Sequence, residues 1–254
     1  MSGVRLALSS TGKVPSGVPG LDEIVGGGFP RGRVILVAGG PGTGKTILSS
    51  QFLVNGAKKH GENAVFVSMD ESKEHICRET AQFNWNLEQL EKEKKLAFVD
   101  ASPIRHLPGE VKLGKMTIGK RDFSLISLVE GIRKGVESVS AKRVVVDSLA
   151  SLVFNYPEPV QRRTGVLDLI EALSETNTTC LLTTELRSSE LEREVEPEEY
   201  LAHGVISLQT IHVGKSYLRA IRVVKMREAQ IDLQPRPYRI TANGIEIYPN
   251  ETIF

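Results

Sequence analysis

Short runs of branched apolar residues alternate along this chain with longer stretches in which apolar positions recur every three or four residues. The first pattern fits strands covered on both faces, and the second fits helices with one apolar side. Val34-Ile35-Leu36-Val37-Ala38 predicts a strand ending at a run of glycines. Lys45 to Lys59 predicts a helix with Ile47, Leu48, Phe52 and Leu53 towards one side. A second strand is predicted over Ala64 to Met69, a helix over Ser72 to Phe83, and a third strand over Leu96 to Val99. Ala101 to Arg121 carries Pro103, Pro108, Gly109, Gly114 and Gly119 and reads as a long connection rather than an element. Asp122 is then placed to cap a helix with Ile126, Val129, Ile132 and Val136 at helical spacing. Arg143 to Asp147 predicts a buried strand ending in a carboxylate, followed by a helix over Arg163 to Glu175 and a strand over Thr179 to Thr184.

The texture changes after Glu185. Glu190, Glu192, Glu194, Glu196, Glu198 and Glu199 crowd one stretch, and the rest of the chain is strand-rich. Gly204 to Leu208 and Tyr217 to Val224 are candidate strands, and Tyr238 to Thr241 and Ile245 to Tyr248 flank the hairpin-turn signal Asn243-Gly244. The alternation predicts an α/β fold, a mostly parallel sheet flanked by helices, with a C-terminal antiparallel β-hairpin extension. No repeat or linker divides the chain, so one domain is expected over 1–254: a lead-in over 1–32, a core over 33–210 and a β-rich part over 211–254.

Composition narrows the classes. With 40% hydrophobic and 25% charged residues, the 254-residue chain is ordinary for a globular protein. A formal net charge of +1 supplies no whole-protein field towards nucleic acid or an anionic membrane. Cys77 and Cys180 have neither metal-ligand spacing nor the density of a disulfide scaffold, so both read as reduced core thiols of a cytoplasmic protein. No apolar run is long enough to cross a membrane, and the N-terminus lacks the pattern of a signal peptide.

The chemistry begins at Gly39-Gly40-Pro41-Gly42-Thr43-Gly44-Lys45-Thr46, which fits G-x-x-x-x-G-K-[ST] between a predicted strand and a predicted helix. Glycines let the backbone curl until successive N–H groups point at phosphate oxygens, and the helix start adds partial positive charge. Lys45 would reach the β- and γ-phosphates of a nucleoside triphosphate, and the Thr46 hydroxyl would ligate Mg²⁺. Asp147 closes a strand expected beside the loop, where a carboxylate holds Mg²⁺ directly or through water. Asp70 and Glu71 admit two readings: a carboxylate pair that orients and deprotonates the attacking water, or an acidic helix start with Asp70 as cap. Lys225-Met226-Arg227 likewise reads as a solvated strand end or as cationic fingers for a neighbouring subunit's nucleotide.

These features resemble the KaiC-like branch of the RecA superfamily of ATPases along nearly the whole chain. The resemblance rests on Pro15-Ser16-Gly17-Val18-Pro19-Gly20-Leu21-Asp22-Glu23 with Gly27-Gly28-Phe29-Pro30-Arg31-Gly32 before the loop, and on Phe66 to Ser72. It continues in Phe83-Asn84-Trp85-Asn86-Leu87, where Asn84 and Asn86 stand for the family's Gly and Asp, and in Arg222-Val223-Val224-Lys225-Met226-Arg227. It implies a RecA-like P-loop core and an ATPase that binds ATP/ADP with Mg²⁺ between the subunits of a homo-oligomeric, usually hexameric, ring. It implies nucleotide contacts from Gly40, Pro41, Gly42, Thr43, Gly44, Lys45, Thr46 and Ile47, from Gln82, and from Lys225, Met226 and Arg227. The catalytic carboxylates map onto Asp70 and Glu71 and the inter-subunit fingers onto Lys225 and Arg227. The family's first carboxylate is typically Glu and is its catalytic base. The shorter Asp70 leaves open whether it acts through a water, whether Glu71 takes over, or whether turnover is slow. The family's clock members phosphorylate themselves, and the corresponding region here holds Ser188 and Ser189, which also read as the start of a solvated loop.

Two other functions stay in view. Arg105, Lys112, Lys115, Lys120 and Arg121 could form a basic loop for single-stranded DNA, in the manner of a recombinase, or a solvated loop. A nucleotide-sensing module with residual hydrolysis is the other alternative. The sequence names no downstream partner.

Overall fold

The branched runs become strands because Val and Ile, stiff at χ1, pack well on a pleated surface that helices cover from both sides. A computed structural model describes residues 12–101, 111–113, 116–118, 125–156, 158–186 and 196–253. In chain order its elements are β1 (Lys13–Val14), α1 (Leu21–Ile24), β2 (Phe29–Pro30), β3 (Val34–Gly39), α2 (Lys45–Lys59), β4 (Ala64–Ser68), α3 (Lys73–Ala81), α4 (Leu87–Lys92) and β5 (Leu96–Asp100). There follow β6 (Val111–Leu113), β7 (Met116–Ile118), α5 (Leu125–Val139), β8 (Arg143–Asp147), α6 (Leu149–Asn155), α7 (Pro159–Glu175) and β9 (Thr179–Glu185). The chain closes with α8 (Pro197–Leu201), β10 (Gly204–Val213), β11 (Ser216–Met226), β12 (Arg236–Thr241) and β13 (Gly244–Ile247).

Nine strands form one sheet in the order β13-β12-β11-β10-β3-β9-β8-β4-β5. The six from β10 to β5 run parallel, and β11, β12 and β13 extend the sheet antiparallel, as the alternation predicts. Ile35, Val37, Val145 and Leu181 face one core with Leu48 and Phe52 of α2. Val34, Leu36, Val144, Val146 and Leu182 face the other, with Ile132 of α5 and Leu169 of α7. No helix among the described residues is long and apolar enough to cross a membrane. Both cysteines are free, and burial pushes the Cys180 thiol up to about 12.

Several elements depart from the sequence reading. The stretch over 101–121 contains the antiparallel pair β6–β7, which its glycines and prolines obscured. Arg105, Lys115, Lys120, Arg121, the Asp122 cap and the serines at 188 and 189 lie outside the described residues, as does the side chain of Lys112. Of the predicted stripe of α5, Val129, Ile132 and Val136 pack inward, whereas Ile126 points outward at 75% exposure and Leu125 and Leu128 join the inward face. α7 starts at Pro159, where a missing N–H costs nothing in the first turn. Glu198 and Glu199, from the stretch crowded with glutamates, are buried in α8, whose Glu196 and Glu199 form a reciprocal capping box. Asp70 is not the cap of α3; Ser72 is, accepting from the His75 N–H at 3.3 Å.

Asn84 and Asn86 both suit the backbone positions they occupy. Asn84 stands at φ +59°, a left-handed conformation that asparagine tolerates best after glycine. Asn86 caps α4, its side chain accepting from the Gln89 N–H at 2.9 Å. Phe83 and Trp85 on either side of Asn84 are buried with ring centroids 4.9 Å apart.

Beneath α2 the Arg143 side chain is wholly buried. Its guanidinium donates to Glu62 Oε2 at 2.8 Å and to the Phe52 carbonyl at 2.8 Å, and lies 4.5 Å from the Phe52 ring centroid. Gly56 makes room for it, since a Cβ there would stand 2.3 Å from Arg143 Nε. A buried charge so held has nowhere to retreat. Gly56→Ala is therefore expected to destabilise the fold by about 1–3 kcal/mol, read as a lower urea midpoint with an unchanged slope.

Candidate functional site

Parallel register brings the chemistry to one edge of the sheet. Gly39 at the end of β3 is paired with Glu185 at the end of β9. Ser68 at the end of β4 is paired with both Asp147 of β8 and Asp100 of β5. β9 lies between β3 and β8 in the sheet. Asp147 nevertheless reaches the loop, since its carboxylate accepts a hydrogen bond from the Thr46 hydroxyl.

The loop is held from within and from below. Gly42 and Gly44 adopt φ of +71° and +91°, and the second is the N-cap of α2. Thr43 Oγ1 donates to the Gly40 carbonyl at 2.8 Å. Lys45 Nζ donates to the carbonyls of Gly39 at 2.8 Å and Gly40 at 3.1 Å. The C-terminal hairpin braces the same loop. The buried Tyr238 hydroxyl of β12 donates to the Thr43 carbonyl at 2.5 Å, and Ile240 and Ile245 close over Gly44. Gln51 of α2 exchanges two hydrogen bonds with Ile245, at 3.0 and 2.7 Å.

A cavity of about 530 Å³ opens beside the loop, lined among others by Lys45, Thr46, Asp70, Glu71, Asp147 and Glu185. Burial lowers the Lys45 ammonium from its usual range, against the opposing pull of Asp147 and Glu185. Burial also raises the Asp147 carboxyl, opposed by hydrogen bonds from Thr183 and Thr46 and by the Lys45 charge, and reinforced by Asp70. A nearly dry carboxylate in such a balance favours a further cation. The Thr46 hydroxyl and the Asp147 carboxylate are hard oxygen donors, the chemistry Mg²⁺ selects, so the residues fit that ion.

The adjacent carboxylates diverge. Asp70 turns inward, accepting from Ser148 Oγ at 2.7 Å and from Ser151 Oγ. Glu71 turns towards α3, 2.9 Å from His75 Nδ1. Its carboxyl is raised first by burial and then by Glu79, against the lowering effect of His75.

The remaining residues named from the sequence lie elsewhere. Ile47 is half-buried against the core of α2's face. Gln82 caps the end of α3, exposed, and donates to the Glu79 carbonyl at 2.8 Å; it does not line the cavity. Met226 is paired with Gly204, and Gly204 with Ile35, so the end of β11 stands at the opposite edge of the sheet from Gly39. Four residues of β3 separate the two edges, roughly 13 Å at ~3.3 Å per residue. There Met226 is buried against Gly204, and Lys225 Nζ donates to the carbonyls of Glu199, Tyr200 and Ala202 at 3.1, 3.2 and 2.6 Å. Burial and the neighbouring Arg227 lower its ammonium. Arg227 is exposed, its N–H donating to the His203 carbonyl at 2.9 Å.

Reading the sequence missed Thr183, Ser148, Ser151, Glu185 and Tyr238. The first four carry a usable signal, hydroxyls and a carboxylate at or just after the ends of predicted parallel strands. Tyr238 carries none, since nothing local in a strand from the last part of the chain points to a loop 195 residues away.

Known proteins resemble this chain along most of its length. A family model described as the KaiC ATPase matches residues 14–252. A UPF0273 protein of Aeropyrum pernix is 34% identical over 95% of this chain and 95% of its own. The circadian clock oscillator protein KaiC of Parasynechococcus marenigrum is 33% identical over 93% of this chain, which spans 45% of that longer protein. The crystal structure of a KaiC-like protein from Pyrococcus horikoshii OT3 superposes with a TM-score of 0.79 at 36% identity, covering 94% of this chain and all of the other.

Tyr238→Phe removes the hydroxyl that fixes the Thr43 carbonyl while keeping the ring in the core. The expected loss is about 1 kcal/mol, roughly a fivefold weaker nucleotide affinity with the fold intact, measured by titration with a fluorescent ATP analogue beside thermal denaturation.

Proposed function

This chain belongs to the KaiC ATPase family, and on that premise we propose that it hydrolyses ATP with Mg²⁺ in a homo-oligomeric ring, a hexamer by family resemblance, with each nucleotide at a boundary between two subunits. The observation that carries the reading is the convergence of Lys45, Thr46, Asp147 and Asp70 on one cavity beside the glycine loop.

The loop amides and Lys45 bind the phosphates. Thr46 and Asp147 would hold Mg²⁺, which would supply positive charge to offset that of the phosphates. Asp70, the inward member of the carboxylate pair, orients a water in line with the γ-phosphorus and takes one of its protons. The new bond joins the water oxygen to the γ-phosphorus. The bond that breaks is the one to the oxygen bridging the β-phosphate, and ADP and inorganic phosphate leave. Glu71, turned to His75, lies at the rim of the same cavity.

The described cavity lining holds one cation, Lys45. Charge on the transferring group calls for more. The cationic end of β11 stands at the opposite edge of its own sheet, so it can serve a nucleotide only by meeting the loop edge of another copy. That polarity supports the ring, with Arg227, exposed at that end, as the entering group and Lys225 beside it.

Lys45→Ala is expected to abolish phosphate release; release at the wild-type rate would overturn the assignment. Arg227→Ala is expected to bind nucleotide normally and turn over at least about a hundredfold more slowly. Mixing Lys45→Ala with Arg227→Ala subunits should restore part of the activity, because some boundaries then combine an intact loop with an intact arginine. Mixtures no more active than their components would remove the shared site.

A further inference from the structure

Asp70 has a side chain one methylene shorter than glutamate, so its oxygens stand closer to the end of β4, within reach of the segment that follows β8. Two hydroxyls from one turn of backbone hold them. Ser148 Oγ donates to Oδ2 at 2.7 Å, and Ser151 Oγ donates to Oδ1. Both serines are buried, at 7% and 6% exposure, where a hydroxyl must have a partner.

Ser148 is the N-cap of α6, a position where serine ordinarily accepts a hydrogen bond from an amide of its own helix. Here no side-chain cap bond is made, and the hydroxyl is turned to Asp70 instead. Ser151 lies three residues on, the spacing that puts two side chains on one helix face. Asp147, the carboxylate beside Thr46, immediately precedes Ser148. The segment that carries one carboxylate of the site thus fixes the position of the other.

We propose that Ser151, with Ser148, is a positioning residue for hydrolysis: it holds the Asp70 carboxylate in the rotamer that meets the attacking water. The proposal rests on the reading of Asp70 as the proton acceptor. Ser151 lines the same cavity and acts through Asp70.

Four variants test it: Ser151→Ala, Ser151→Thr, Asp70→Asn and the double variant Asp70→Asn with Ser151→Ala. Ser151→Ala is expected to lower turnover at saturating ATP by roughly ten- to a hundredfold, the cost of a misplaced catalytic group. Its nucleotide affinity should stay within about twofold, since the loop is untouched. Ser151→Thr, which keeps the hydroxyl, should recover most of the loss. In the Asp70→Asn background Ser151→Ala should cost nothing further, because the carboxylate it placed is gone. In nucleotide-free protein, Ser151→Ala should speed amide exchange over residues 148–152, and Ser151→Thr should not. Equal losses in both backgrounds, unchanged turnover in Ser151→Ala, or no rescue by threonine would each overturn the proposal. Full turnover in Asp70→Asn would instead overturn the reading beneath it, and the positioning proposal with it.

Discussion

Everything chemical in this molecule depends on a common register among parallel strands. Because β3, β9, β8, β4 and β5 run the same way, Gly39 and Glu185 finish level with each other, and Asp147, Ser68 and Asp100 finish two residues back along the same edge. A slip of one residue in any strand would turn its side chains to the wrong face and move its terminal group by about 3.3 Å. The register is in turn fixed by cores on both faces, since each branched residue has a place on only one of them. Packing energy in the interior is therefore what sets ångström-scale geometry at the rim.

The rim gathers charge with little water. Lys45 is lowered and Asp147 raised by the same cause, loss of solvent, and each is partly restored by the other. Hydroxyls do much of the remaining work of satisfying charge: Thr46 and Thr183 on Asp147, Ser148 and Ser151 on Asp70. A hydroxyl donates to a carboxylate without adding a formal charge, so these donors orient acidic groups and leave the net field for a phosphate and its cation. Arg143, buried beneath α2 with Glu62 and the Phe52 carbonyl, is the contrasting solution, a full charge neutralised within the fold.

Local patterns made the scaffold and the loop legible. The β3–loop–α2 unit is predictable because branched residues, glycines and helical spacing follow each other within some twenty-five residues. The strand over Arg143 to Asp147 was equally plain, but its place two strands from the loop was not, since strand order depends on crossovers that leave no local mark. The β6–β7 pair hid among helix-breaking residues, and α6 hid because its seven residues are too few for helical spacing to stand out. Asp70 and Glu71 looked interchangeable in sequence; what separates them is which neighbours each finds, serines from α6 or a histidine from α3. The pair Lys225 and Arg227 also read as one feature, yet one ammonium is bound to three carbonyls at the end of α8 and the other side chain is exposed.

The brace from Tyr238 to Thr43 spans 195 residues of chain. On a ribosome adding about 5–20 residues per second, the glycine loop emerges well before the strand that steadies it. Until β12 and β13 dock, a nascent chain carries a phosphate loop whose Thr43 carbonyl lacks this donor and whose Gly44 lacks its apolar lid. The β12–β13 hairpin is thereby a late brace, reaching the loop only after the strand and helix that flank it have been made.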